Sequence, residues 1–122
     1  MASRPTHFEI PVDDPDRAER FYSTVFGWSF NRYPGAPQYY GMATTGEDGP
    51  GINGALFQRS DGSATTLTMT VDSIEEATAS VEAAGGKVLQ GKTPVPTMGW
   101  FATCEDSEGN KIGLWTDDLN AG

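Results

Sequence analysis

A chain of 122 residues and 13.1 kDa has room for one domain with a modest core and excludes a second independent one. Its 8 Lys plus Arg stand against 17 Asp plus Glu, giving a net charge of −9 and a pI near 4.3. That balance argues against nucleic acid or an anionic membrane surface as a partner, because phosphate groups attract positive protein. With 37% hydrophobic residues, 15 Gly and 8 Pro, a compact, turn-rich fold is expected rather than a helical bundle or a disordered chain.

In chain order, MASRP carries no apolar run of signal-peptide kind and reads as a short tail before the first strand. His7-Phe8-Glu9-Ile10 alternates as a strand does. DDPDRAERFYSTVFG then reads as a helix, with Asp14 as cap, Pro15 at the first helical position, Ala18, Phe21, Tyr22 and Val25 inward, and Gly27 as the stop. Strands are expected over residues 28–32, 38–43 and 52–59, with PGAP and TGEDGPG as turns.

The second half repeats this plan at an offset of 59 residues: Val12-Asp13 meets Val71-Asp72, Ala18 meets Ala77, and Gly27 meets Gly86. A strand at Thr66–Met69 precedes a helix whose stripe is Ile74, Ala77, Val81 and Ala84, capped by Asp72 or Ser73 and stopped at Gly85-Gly86. Strands over 87–90, 99–105 and 110–116 follow, separated by GKTPVPTM and EDSEGN. Two helices among eight short strands exclude a doubly wound sheet. The expected fold class is α+β: two βαβββ modules forming a curved, cup-like mixed sheet with helices outside. Residues 1–122 are expected to form one domain of two repeats, about 6–59 and 65–117.

The segments HFEIPVDDPDRAERFYSTVFGW, INGALFQR, VDSIEEATASVEAAGGKVL and GWFATCEDSEGNKIGLW together resemble the vicinal oxygen chelate superfamily. That superfamily includes glyoxalase I, bleomycin-resistance proteins, extradiol dioxygenases and methylmalonyl-CoA epimerase. The resemblance implies paired modules, frequent dimerisation and a divalent metal held by the first and last strand of each module. Its ligand positions fall on His7, Gln58, Thr66 and Gly113. Only His7 and Gln58 carry useful ligand atoms, Thr66 offers a neutral hydroxyl, and Gly113 offers no side chain. Glu9, on the two-residue period of His7, and Glu105, at a turn edge, are the carboxylates a register shift could bring in. No metal or other cofactor is therefore expected, and metal-assisted proton abstraction of glyoxalase type is disfavoured.

His7 is the sole histidine and is taken as a ligand anchor or general base, with Gln58 beside it in the site. Thr66 and Thr68 share a strand face, Tyr40 is a further polar contact, and Met98 and Trp100 lie at a Pro- and Gly-rich segment composed like a pocket lip. The lone Cys104 can form no intrachain disulfide and reads as an ordinary buried thiol, which makes a reducing cytoplasm the expected compartment. The leading expectation is a metal-independent homodimer that binds a small, partly apolar organic molecule, with cationic ligands favoured by the acidic chain. The alternative is a lyase, isomerase or dioxygenase-like enzyme using His7 with Gln58 or a tyrosine.

Overall fold

A computed structural model describes residues 3–122, so the start of the expected tail, Met1 and Ala2, lies outside the described residues. The described residues form an α+β fold of two helices and eight strands that divide into two compact units. The first is His7–Thr65, and the second is 66–122 together with residues 3–6.

In the first unit β1 (Pro5–Val12) is followed by α1 (Pro15–Phe26), β2 (Ser29–Arg32), β3 (Tyr40–Thr44) and β4 (Asn53–Gln58). The order is β2-β3-β4-β1, with β1 and β4 parallel and the rest antiparallel. Helix α1 begins as the sequence predicts. Asp14 is extended, its carboxylate accepts from Arg17 N at 3.1 Å, and Pro15 opens the first turn where its missing donor costs nothing. It ends at Gly27, whose φ of 75° is left-handed backbone that glycine adopts without strain.

The second unit repeats the plan: β5 (Thr66–Thr70), α2 (Ile74–Ala83), β6 (Lys87–Val95), β7 (Gly99–Glu105) and β8 (Lys111–Asp117), in the order β5-β8-β7-β6. Of the two candidate caps it is Ser73 that acts, accepting from Glu76 N at 3.1 Å. The core here is Ile74, Ala102, Cys104 and Leu114, with Val81, Val88, Trp100 and Ile112 packed against it. Cys104 is a fully buried free thiol, and burial pushes its ionisation up.

Two expectations are corrected. Phe21 and Val25, read as inward, are 55% and 53% exposed, while Ala18 and Tyr22 are half-buried. The segment 91–95, read as loop, continues β6 through register shifts between Val88 and Thr93. An edge strand with bulges tolerates Pro94 because no ladder donor is needed there. Among the described residues no helix is long and apolar enough to cross a membrane.

Candidate functional site

In the first unit one sheet face carries α1 and the other does not. Phe8 points to the helix face, where its ring lies 5.3 Å from that of Trp28, itself stacked on Tyr22 at 4.7 Å. Alternation therefore puts His7 and Glu9 on the opposite, helix-free face. Pairing register brings β3 and β4 into line: Glu9 lies opposite Ala55, which lies opposite Met42, and Tyr40 lies opposite Phe57. Tyr40, Met42 and Phe57 thus share the face of His7 and Glu9.

Three of these side chains meet. The Tyr40 hydroxyl donates to Glu9 Oε2 at 2.6 Å, and His7 Nε2 lies 3.0 Å from the same hydroxyl and 3.6 Å from Glu9 Oε2. A phenol has one proton, so its second contact must be as acceptor. With the proton directed at Glu9, the ring nitrogen donates: the order is His7 Nε2–H to Tyr40 Oη–H to Glu9 carboxylate. His7 and Glu9 are each 32% exposed at the side chain. Burial alone would raise the Glu9 pKa, but hydrogen bonds from His7 and Tyr40, with the charge of His7, outweigh it and hold the carboxyl below its ordinary range. Tyr40 is shifted strongly upward by burial, then by the charge of Glu9 and by the bond to it. The result is a half-buried carboxylate kept ionised beside a phenol kept protonated.

Gln58 is not part of this cluster. It pairs with Val12 while His7 pairs with Asn53, five positions earlier on β4. Five positions correspond to about 16 Å along a strand, and an odd step reverses the face. Its amide instead donates to the carbonyls of Val12 and Asp13, at 3.3 and 3.2 Å, and holds the turn into α1. Gln58→Ala should therefore lower stability by about 1 kcal/mol in urea denaturation and leave ligand affinity within twofold.

In the second unit Ile112 and Leu114 belong to the core beneath α2, so Thr68, paired with Gly113, lies on the helix-free face with Thr66. Trp100 is on the other side, packed against the α2 core. Its indole N–H donates to Asp118 at 2.9 Å, and the Lys92 ammonium sits 4.5 Å from its ring. Thr66 and Thr68 are thus not brought together with Trp100, and Met98 lies in the β6–β7 turn, 43% exposed. A cleft of about 210 Å³ does include Trp100, with Asp72, Glu75, Lys92 and Asp118 around it. Its one lysine, Lys92, bonds Glu75 at 2.8 Å, and Asp118 accepts from the Trp100 indole.

The residue set that the resemblance assigns to a metal does not fit one. His7 Nε2 donates its proton to Tyr40, Gln58 is turned to the α1 turn, and Gly113 has no donor. A Cβ added at Gly113 would lie 2.6 Å from Thr68 Oγ1, so the neighbouring threonine already fills that place. Among the described residues no three His, Cys, Asp or Glu side chains are grouped to hold an ion.

Glu9 was legible as sharing the face of His7, but the partner that fixes both, Tyr40, comes from β3, and only the register of three strands brings it there.

Residues 4–45 match the family model described as bleomycin resistance protein-like N-terminal. A Mycobacterium bovis protein carried under the name "Putative glyoxylase CFP32" is 25% identical over 130 residues, 97% of this chain and 47% of that protein. The chain thus spans about half the length of the curated relatives it matches. Among solved structures, a Bacillus halodurans protein described as hypothetical superposes with a TM-score of 0.73 at 16% identity, covering 100% of this chain and 99% of that one. Methylmalonyl-CoA epimerase from Mycobacterium tuberculosis gives 0.68 at 14% identity over 93% of this chain and 87% of its own. A single-residue variant of the Streptomyces coelicolor epimerase, complexed with 2-nitronate-propionyl-CoA, gives 0.68 at 17% identity over 100% of this chain and 99% of its own. With a shared fold, a bleomycin-resistance-like N-terminal segment and glyoxylase-named relatives, the chain is similar in fold and in part of its sequence to members of the vicinal oxygen chelate superfamily.

Proposed function

We propose that the chain binds a small, partly apolar organic cation on the helix-free face of its N-terminal module, without a resident metal. One observation carries this reading: among the described residues Glu9 makes no ion pair with lysine or arginine, only with His7, yet it is half-buried and held ionised. The other carboxylate pairs among those residues, at Asp13, Asp14, Asp16, Glu19 and Glu75, are with Arg or Lys. A braced, ionised carboxylate beside Met42 and Phe57 is a fitting anchor for a ligand with an apolar body and a positive group. The net charge of −9 adds a favourable field.

The same field opposes a polyanionic thioester of the kind named in the epimerase complexes. Of the eight Lys and Arg, Arg17, Arg32, Arg59 and Lys92 are engaged with carboxylates. A second reading, an enzyme that moves a proton through the His7–Tyr40–Glu9 series, is favoured by that bonding order alone. Ligand returned chemically unchanged after prolonged incubation supports binding over turnover.

Calorimetric titration with benzyltrimethylammonium, benzyl alcohol and phenylacetate tests the reading. The cation should bind at least about tenfold tighter than the anion, with the alcohol between them. Equal affinity for all three, or the reverse order, contradicts it.

A further inference from the structure

The aromatic side chains of the first unit fall into two groups. Around α1 the rings of Phe8, Tyr22, Phe26 and Trp28 pack on one another, with centroids 4.7 to 6.2 Å apart. On the helix-free face Tyr40 and Phe57 are half-buried, and among the described residues neither packs on another ring.

Tyr40 does not stand upright from its strand. β4 lies between β3 and β1, yet the Tyr40 hydroxyl, from β3, reaches both Glu9 and His7 on β1. Its ring therefore lies across β4 and over Ala55, the residue paired on one side with Glu9 and on the other with Met42. That accounts for Ala55 being 0% exposed on a face that carries no helix. The result is an aromatic floor, with the Glu9 carboxylate at one edge and Met42 and Phe57 beside it. Two other rings already face cations of the chain itself: the Arg32 guanidinium lies 5.1 Å from the Tyr39 ring and the Lys92 ammonium 4.5 Å from that of Trp100. Among the described residues no lysine or arginine lies over the Tyr40 ring.

We infer that the cation recognised here is a quaternary ammonium group, seated on the face of the Tyr40 ring with Glu9 at its side. This deepens the proposed cation site and rests on it. A fully alkylated ammonium has no N–H to donate, so its attraction comes from ring faces, polarisable groups and a nearby negative charge. Tyr40, Phe57, Met42 and Glu9 supply all three. A primary ammonium is strongly hydrated and needs acceptors in exchange for its water. Here Tyr40 and His7 both converge on Glu9 Oε2, so an arriving N–H competes with them for the carboxylate.

Calorimetric titration with benzyltrimethylammonium and benzylammonium at neutral pH compares equal charge on the same apolar body. The quaternary ion should bind about 3- to 10-fold tighter. In Glu9→Gln the amide oxygen still accepts from Tyr40, so both ions should weaken while their ratio holds. Tyr40→Leu, with circular dichroism unchanged, should bring the ratio within about twofold of one. Benzylammonium binding as tightly as the quaternary ion, or tighter, overturns the inference on the parent chain alone. The cation site itself still stands in that case if both ions bind more tightly than benzyl alcohol; if neither does, the site and the inference fall together. A ratio that survives Tyr40→Leu, or one that vanishes in Glu9→Gln, also overturns it, because the preference would then come from the carboxylate and not from the ring.

Discussion

Gly54→Ala is expected to lower the unfolding free energy by about 3 kcal/mol, at the upper end of what overpacking costs. Gly54 lies on β4 opposite Phe8 and is buried. A Cβ there would fall 2.5 Å from the Phe8 ring and 2.5 Å from its backbone oxygen. Rotating the ring relieves only the first contact; the second forces β1 and β4 apart. Because Phe8 separates His7 from Glu9, the same displacement should disturb the polar cluster on the other face. Gly46→Ala, with nothing within 4 Å of the added carbon, is the matched control and should change stability by less than about 0.5 kcal/mol in urea denaturation.

Glu9→Gln is expected to weaken binding of benzyltrimethylammonium by about 10- to 100-fold while leaving benzyl alcohol within about threefold, since the charge is lost and the shape kept. It should also change the acid limb of stability. The folded-state pKa of Glu9 lies below its ordinary value, so the folded chain binds this proton less readily than the unfolded one. The associated stability is present above the unfolded carboxyl range and is lost as pH falls through the folded value. Thermal melts from neutral pH downward should fall less steeply for Glu9→Gln than for the parent chain below about pH 4.5. Tyr40 has the opposite sense: its raised pKa makes stability decline as pH rises past the ordinary tyrosine value, and Tyr40→Phe should remove that part of the alkaline decline.

Helix limits and turns were legible because their signals are local. Asp14, Pro15 and Gly27 each specify a backbone state that neighbouring residues cannot change, and α1 starts and stops where they say. The inward face of α1 was not legible. Its apolar positions suit a buried stripe, yet Tyr22 and Trp28 already fill the contact with the sheet and Phe21 and Val25 are left outside. Site residues were legible only as far as strand parity reaches. His7 and Glu9 share a face by counting along one strand, whereas placing Gln58 needs the parallel register of β1 and β4, which rests on contacts 46 residues apart. Trp100 lines a cleft beside α2 and away from Thr66 and Thr68, a placement not legible locally because β6 runs on through Pro94 and pairs it with Trp100 in the sheet.

Backbone amide shifts of the isotope-labelled chain, followed during titration with benzyltrimethylammonium, test the central claim most directly. The account predicts saturable shifts centred on His7, Glu9, Tyr40 and Met42, with a midpoint moved to about 10- to 100-fold higher ligand concentration in Glu9→Gln and unchanged within twofold in Gln58→Ala. Shifts centred on Lys92, Trp100 and Asp118, or shifts at the first group that survive Glu9→Gln unchanged, would contradict it.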